Sequence, residues 1–212
     1  MPIDLHDGDL PDGLDLKTTA RDGAVAIDTE TMGLNPARDR LCLVQLSAGD
    51  GTVHLVQFRR GAYDAPNLKR LLTDPEVLKL FHFARFDVAV MQAYLGVVVQ
   101  PVYCTKVASK LVRTFTDKHG LKDLCKDLLG VELSKQQQSS DWGADELTPE
   151  QMKYAASDVL HLHDLKARLD VMLAREQRTH LAQACFDFLP ARGALDLGGW
   201  DDGESRTDVL AH

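Results

Sequence analysis

Apolar, β-branched runs are concentrated in the first 83 residues of the chain, and this arrangement restricts the possible fold more than any other feature. Runs of this kind, bounded by turn formers, are typical of buried strands. The predicted strands are Gly23–Glu30, Leu41–Ser47, Thr52–Phe58 and Val77–Phe83. The tetrapeptide Ala48-Gly49-Asp50-Gly51 joins the second run to the third and predicts a hairpin between them.

Helical spacing of apolar residues dominates most of the remaining chain. The predicted helices are Asn67–Leu72, Phe86–Leu95, Thr105–Phe115, Leu121–Leu129, a long helix from Thr148 to about Ala174, and Gln177–Phe188. The long helix has a well-defined start, because Thr148 offers a hydroxyl to the N-cap and Pro149 suits the first helical position. Leading strands and following helices predict a mixed α/β domain.

One domain is expected over residues 23–189. Residues 1–22 carry turn formers and acids with little periodicity, which predicts an extended lead-in with at most a short edge strand. Residues 190–212 contain four glycines and five acids against two arginines, which predicts a mobile, acidic C-terminal tail. No run approaches the apolar length that crosses a bilayer, and no basic residue precedes Lys17, unlike in a secretory signal. A cytoplasmic protein without a membrane partner is expected.

The net charge of −8 disfavours an enzyme that grips long duplexes through many phosphates. The charge is uneven, because residues 104–126 carry six Lys or Arg against two Asp, a local net charge of +4. The simplest interpretation of this stretch is a solvated helix face, and a short substrate would not need an extensive basic surface. Cys42 and Cys125 lie within apolar runs, which favours reduced, buried thiols.

Asp28 and Glu30 end the first predicted strand. Residues two apart in a strand point to the same face, so these carboxylates would stand side by side. Adjacent anions repel unless a cation lies between them, and hard oxygen ligands suit Mg²⁺ or Mn²⁺. Taken alone, the pair would have a simpler interpretation, in which one carboxylate is solvated and the other caps the following loop.

Three more polar residues lie in the first turns of later predicted helices or close to them. Tyr154 and Asp158 are spaced i, i+4 near the start of the long helix, which puts them on one helical face. Asp87 begins the helix that follows the strand Val77–Phe83, where an acid also favours the positive end of the helix dipole. Tyr154 could equally be a half-buried side chain above a surface acid. The joint occurrence of these residues, in this order, indicates one shared site.

The segments around these acids resemble three motifs of a known superfamily. AVAIDTETMGL contains Asp28 and Glu30, FHFARFDVAV contains Asp87, and YAASDVLHL contains Tyr154 and Asp158. They resemble the 3′-5′ exonuclease motifs of the DEDD superfamily. A tyrosine four residues before the last acid is similar to the tyrosine subclass, which includes ribonuclease D. Within that subclass, RDRLCLVQLS, CTKVASKLVRT and SKQQQSSDW resemble the nano-RNase C family most closely.

The resemblance extends from about residue 25 to residue 173 and implies a ribonuclease H-like 3′-5′ exonuclease fold, an α/β architecture with a central mixed sheet flanked by helices. The domain over residues 23–189 would therefore be the exonuclease domain. The implied assembly is a homo-oligomer, and specifically a ring-like octamer.

The resemblance also implies a reaction: hydrolysis of very short RNA from the 3′ end, with release of nucleoside 5′-monophosphates. Asp28, Glu30, Asp87 and Asp158 would hold two divalent cations, Mg²⁺ or Mn²⁺, roughly 3.5–4 Å apart. Tyr154 would orient or deprotonate the attacking water, and both roles stay open. The implied substrates are dinucleotides, including linear products of cyclic dinucleotide messengers.

Several residues beside the motifs are implied contacts of the substrate. They are Met32, Gly33, Leu34, His82, Phe83, Lys135, Gln138, Ser139 and Trp142. Leu34 could wedge between two bases, although the segment around it is equally interpreted as an ordinary turn. His82 could touch the sugar or base, or be a core histidine. Trp142 could stack on a base or simply pack.

Two other interpretations stay open. A broader ribonuclease D-like enzyme that trims RNA, or an exonuclease acting on DNA 3′ ends, would have the same acids, because groove length and 2′-hydroxyl contacts distinguish these substrates. A non-catalytic nucleic-acid-binding domain is a further alternative, which the presence of all four acids and Tyr154 disfavours. A polymerase proofreading domain is disfavoured because no polymerase is attached.

Overall fold

A six-stranded mixed sheet forms the centre of the protein in a computed structural model, which describes residues 2–134, 136–137 and 139–200. The strands are β1 (Ile3–Asp7), β2 (Ala24–Thr31), β3 (Leu41–Ser47), β4 (Val53–Gln57), β5 (Leu78–Phe81) and β6 (Val102–Cys104). Their spatial order is β1-β4-β3-β2-β5-β6. The pairs β2–β3 and β3–β4 are antiparallel, whereas β1–β4, β2–β5 and β5–β6 are parallel. Every residue of β3 is buried, so helices and loops cover both faces of the central strands.

The helices follow the strands in the chain and cover the sheet. They are α1 (Leu16–Thr19), α2 (Pro66–Thr73), α3 (Ala84–Leu95), α4 (Thr105–Val112), α5 (Leu121–Leu124) with a π-helical turn at Cys125–Leu129, α6 (Pro149–Leu160), α7 (Leu162–Arg175) and α8 (Thr179–Leu197). A 3₁₀ turn, Arg21–Gly23, precedes β2. Helix α6 packs against β2, β3 and β4, and α8 packs against α3. Within the described ranges, no helix combines the length and apolar character needed to span a membrane.

The fold confirms the predicted mixed sheet with flanking helices and most of the predicted elements. Helix α6 begins as expected: Thr148 accepts from the Gln151 backbone, and the Gln151 side chain accepts from the Thr148 backbone. The edge strand within the lead-in is β1. Strand β6 was not predicted, because a strand of three residues leaves almost no periodicity in the sequence.

Three predicted helix boundaries are wrong. The helix predicted over Thr105–Phe115 ends at Val112. The long helix from Thr148 is two helices, α6 and α7, which meet at His161, where the backbone has φ −102° and ψ 0°. The last helix was expected to end at Phe188, with a tail from residue 190, but α8 continues to Leu197 with Pro190 inside it. The rest of the predicted mobile tail, residues 201–212, lies outside the described residues.

Contacts with α3 explain why α8 is longer than its sequence predicts. The Arg85 guanidinium binds both carboxylate oxygens of Asp196, with Nε–Oδ2 2.6 Å and Nη2–Oδ1 2.7 Å. Arg192 pairs with the same carboxylate at 3.0 Å. A Cβ placed on Gly193 would lie 3.2 Å from the backbone nitrogen of Ala89, so the two helices approach very closely there. These distant partners neutralise an acid that, in the sequence alone, looks like part of a solvated tail.

Candidate active site

The predicted acids meet in one pocket at the end of β2. The pocket has a volume of about 490 Å³, and Asp28, Glu30, Asp87, Asp158 and Tyr154 all line it. This size is typical of a site that encloses one small ligand. The structure therefore brings together the residues that were predicted to form a shared site.

Three carboxylates form the centre of the pocket. Asp28 and Glu30 share a face of β2, and α6 packs over the sheet so that Asp158 reaches them. One oxygen from each of these three side chains lies within 4.8 Å of the others. A group of oxygens at this separation can bind one hard divalent cation between them.

Asp87 joins the site from α3 and lies slightly apart from the group of three. Its side chain is 3% exposed, and Thr29 Oγ1 donates to Asp87 Oδ1 at 2.6 Å. The charge of Asp87 still acts on its neighbours, because it raises the pKa of both Asp28 and Glu30. Thr29 and Asp87 therefore form a fixed side wall of the pocket.

Burial raises the pKa of every acid in the site, and repulsion from neighbouring acids adds to the shift for Asp28, Glu30 and Asp87. Burial, followed by the charges of the other acids, holds the pKa of Asp28 well above its usual range and raises that of Glu30 to about 9. Burial raises the pKa of Asp87 and of Asp158 to about 7, and the bond from Thr29 partly opposes the shift of Asp87. None of the described residues that line the pocket is Lys or Arg.

The donor set fits divalent cations. Four carboxylates enclosed together without a basic side chain are costly unless positive charge enters from outside. Oxygen-only donors suit Mg²⁺ and Mn²⁺ rather than a softer ion that prefers sulfur or imidazole. The four acids are thus the residues that could hold such ions in this pocket.

Tyr154 lies beside the acids on α6. Burial raises the pKa of its phenol, and the carboxylates of Asp158, Glu30 and Asp28 raise it further. Its ring centroid lies 6.0 Å from that of Trp142, so the indole supports the ring from the loop before α6. The hydroxyl therefore keeps its proton among these acids and can act as a hydrogen-bond donor.

Met32, Gly33 and Leu34 line the pocket where β2 ends. Leu34 is 89% exposed at the rim. A Cβ on Gly33 would lie 2.3 Å from Asp39 Oδ2, so this position has no space for a side chain. Asp39 in turn accepts from the Asn35 backbone. The segment is thus a tight turn that also borders the site, and the two interpretations of it are compatible.

His82 and Phe83 also line the pocket. His82 Nδ1 bonds with Thr105 Oγ1 at 2.9 Å, and burial together with the charge of Lys106 lowers its pKa to about 3. Phe83 has a left-handed backbone (φ 68°), which is unusual for a non-glycine residue and turns the chain from β5 into α3. The Lys106 ammonium lies 4.0 Å from the Phe83 ring centroid and fixes the ring by a cation–π contact.

Ser139 and Trp142 reach the pocket from the loop before α6. The Trp142 indole N–H is buried and has no hydrogen-bond partner among the described residues. Lys135 and Gln138, the other candidates in this loop, lie outside the described residues.

Four pocket residues were not predicted: Thr29, Thr31, Phe86 and Ser140. Thr29 is the most informative of them, because it fixes Asp87. Its position between Asp28 and Glu30 in the sequence indicates that it lies close to the site. Strand alternation, however, directs it to the face opposite Asp28 and Glu30, so a contact with a third acid does not follow from the sequence.

The fold, the clustered acids and the tyrosine define a class of nuclease, and the comparisons with known proteins agree. Residues 14–174 match the family model described as 3′-5′ exonuclease, so the chain belongs to the 3′-5′ exonuclease family of metal-dependent phosphodiester hydrolases. The predicted membership is confirmed.

Within that family, the chain resembles nano-RNase C, NrnC, of Brucella melitensis over its whole length. The structure of NrnC with bound Mg²⁺ is 54% identical, has a TM-score of 0.92, and the match covers 100% of both chains. The structure of NrnC bound to pGG is 55% identical, with a TM-score of 0.93, and the match covers 100% of this chain and 99% of that one.

Ribonuclease D forms a second group of relatives. The enzyme from Gluconacetobacter diazotrophicus is 38% identical over 158 residues, which cover 74% of this chain and 40% of the relative. The chain therefore matches less than half the length of this ribonuclease D.

Proposed function

We propose that the protein is an exoribonuclease that hydrolyses very short RNAs, chiefly dinucleotides, to nucleoside 5′-monophosphates. Linear products of cyclic dinucleotide messengers belong to this substrate class. The observation that carries the proposal is the group of three carboxylates within 4.8 Å of one another, in a pocket that also contains Asp87 and Tyr154. The likeness to an NrnC structure bound to pGG supports the choice of a dinucleotide.

Asp28, Glu30, Asp87 and Asp158 would hold two divalent cations, Mg²⁺ or Mn²⁺. When bound, such ions activate a water molecule as nucleophile and stabilise the charge of the departing 3′ oxygen. The residues themselves contribute orientation. Thr29 fixes the Asp87 carboxylate by a 2.6 Å hydrogen bond, so this ligand needs little reorganisation before the ions bind.

Tyr154 acts as a positioning donor rather than as a base. Burial and three carboxylates raise the pKa of its phenol, so the hydroxyl retains its proton and can orient a water molecule by hydrogen bonding. Trp142 remains a proposed substrate contact through its ring, which lines the pocket beside Tyr154.

A short substrate suits the boundaries of the pocket. Leu34 and Phe83, two exposed apolar side chains, stand at its rim, where nucleotide bases can stack or wedge. Lys135, Gln138 and Ser139 remain proposed contacts of the second nucleotide, together with Met32, Gly33 and His82 nearer to the acids. The cavity of about 490 Å³ favours one small ligand over a long strand.

Turnover of three substrates tests the proposal: a two-nucleotide RNA, a ten-nucleotide RNA and duplex DNA. The dinucleotide should be consumed fastest, in a reaction that requires Mg²⁺ or Mn²⁺ and that is lost in Asp158→Asn. Equal or slower turnover of the dinucleotide would refute the substrate assignment. Full activity of Asp158→Asn, or activity in excess chelator, would refute the metal-dependent site.

The second candidate function is that of a ribonuclease D-like exonuclease with a broader substrate range, which includes longer strands. A neighbouring pocket of about 780 Å³ favours it, because this pocket shares Leu34, Phe83 and Phe86 with the first and is also lined by Arg38 and Lys110. A longer strand could continue into such a basic cavity. Preferential turnover of the ten-nucleotide RNA in the same assay would favour this candidate.

We also propose a homo-oligomer, and a ring-like octamer in particular. Large apolar side chains that are strongly exposed support an interface, notably Phe115 (79% exposed) and Val171 (70% exposed). Gel filtration with light scattering measures the mass directly, and a monomer at working concentration would contradict the assembly.

A further inference from the structure

Gln45 is a fully buried residue whose polar atoms are left unsatisfied. Its side chain is 0% exposed, and neither its amide nitrogen nor its amide oxygen has a hydrogen-bond partner in the described part of the chain. Buried amides nearly always have partners, so an exception in a well-packed strand calls for an explanation.

The sheet register places Gln45 next to the acids. Gln45 on β3 is directly opposite Asp28 on β2 in an antiparallel pair, so both side chains emerge on the same face. Opposite residues in such a pair have Cβ atoms about 4.5–5.5 Å apart, which is within reach of a glutamine side chain. On the other side of β3, Gln45 pairs with the apolar Leu55. The carboxylate of Asp28 is therefore the polar neighbour that the sheet register supplies.

We propose that Gln45 is a positioning residue: its amide has no partner among the residues that the structure describes, and when a divalent cation binds, its N–H donates to the carboxylate of Asp28 and fixes the orientation of that ligand. The inference rests on the proposed metal-dependent function and deepens it. A carboxylate that gives one oxygen to a cation has another oxygen free to accept, and an uncharged amide can donate to it without competing for the metal. Neighbouring groups of this kind fix the direction of a metal ligand.

Stability alone does not account for glutamine at this position. An apolar side chain of the same size would fill the space without desolvating an amide, and such replacements are often neutral or stabilising. A buried polar group that is retained at a cost to stability is typical of a residue needed for function. The proposal therefore predicts opposite effects of one substitution on stability and on metal binding.

Gln45→Met provides the test, because methionine keeps the length of the side chain and removes both amide atoms. The matched control is Gln57→Met on β4, where the amide donates to the Ala144 carbonyl at 2.9 Å. Three quantities are measured for each variant. Mn²⁺ affinity is measured by electron paramagnetic resonance of the free ion, and thermal stability is measured in excess chelator. The values of kcat and KM are measured with the dinucleotide as substrate. Gln45→Met should bind Mn²⁺ about 10–100-fold more weakly, with reduced kcat and little change in KM. Its Tm without metal should equal or exceed that of the wild type.

Gln57→Met should show the reverse pattern, with a lower Tm and unchanged Mn²⁺ affinity. If Gln45→Met binds Mn²⁺ within twofold of the wild type, the amide does not position Asp28 and the proposal is overturned. Gln45→Leu serves as the second variant if methionine disturbs folding, and the same criterion applies to it. Absence of metal-dependent hydrolysis by the wild type would instead refute the proposed function. The Mn²⁺ affinity of the variants would still test the role of Gln45, because it does not depend on activity.

Discussion

Replacing Thr29 with valine removes one hydroxyl from the active site and keeps the shape of the side chain. In the structure this hydroxyl donates to Asp87 Oδ1 at 2.6 Å, in a buried setting. A hydrogen bond to a charged group contributes about 1.5–3 kcal/mol, which corresponds to about a 10- to 150-fold change in an equilibrium or rate constant. We therefore expect Thr29→Val to weaken Mn²⁺ binding and lower kcat/KM by a factor within this range.

The pH dependence of the same variant gives a second, independent signature. The Thr29 hydrogen bond lowers the pKa of Asp87, which burial has raised to about 7. Without that bond the carboxyl holds its proton to higher pH, so protons compete with the cation over a wider range. The acidic limb of the kcat/KM profile should move toward higher pH.

Ser47→Ala is the matched control, because Ser47 Oγ donates to the Thr52 carbonyl at 2.9 Å in the same sheet and outside the pocket. It should lose stability and keep the Mn²⁺ affinity and pH profile of the wild type. Thr29→Val with Mn²⁺ affinity and kcat/KM within threefold of the wild type would show that Asp87 is not held by this hydroxyl. Equal losses in both variants would indicate a general loss of stability instead.

Three further predictions concern the acids and the tyrosine. Asp158→Asn should abolish hydrolysis. In excess chelator at pH 8 it should also raise Tm, by about 2–4 °C for each kcal/mol of repulsion between the carboxylates that it relieves. A lower Tm in calorimetry would contradict the inferred repulsion between these carboxylates. Tyr154→Phe should reduce kcat by about a hundredfold and leave Mn²⁺ affinity unchanged, and an unaltered kcat in steady-state assays would exclude the tyrosine from the reaction. The metal-free protein should lose stability as pH rises from about 4 to 9. Over this range the native state retains protons on Asp87 and Asp158 (pKa about 7) and Glu30 (pKa about 9) that the unfolded chain releases. Thermal denaturation at pH 5, 7 and 9 measures how stability changes with pH. Saturating Mg²⁺ should reverse the direction of this change. A Tm of the metal-free protein that rises with pH would contradict the prediction.

Local sequence signals predicted the elements that carry the acids. The alternation in β2 put Asp28 and Glu30 on one face, and the i, i+4 spacing put Tyr154 and Asp158 on one side of α6. The capping box at Thr148 fixed the start of that helix to the residue. These features depend on neighbours within four positions, which a single sequence displays directly.

Features that depend on distant partners were not predictable. The hydrogen bond from Thr29 to Asp87 spans 58 positions, and the register that pairs Gln45 with Asp28 is set by the whole sheet. The extension of α8 past Pro190 depends on the ion pair between Asp196 and Arg85. Composition suggested a solvated tail there because the sequence shows the acid and not its partner.

The contact between Arg85 and Asp196 has a practical consequence for work with this enzyme. Arg85 is in the first turn of α3, two positions before Asp87, so the end of α8 anchors the same turn that presents this proposed metal ligand. A version of the protein trimmed at residue 189 would keep all four acids and Tyr154 but lose that anchor. Weak activity after such trimming could then be mistaken for evidence that the removed segment binds RNA.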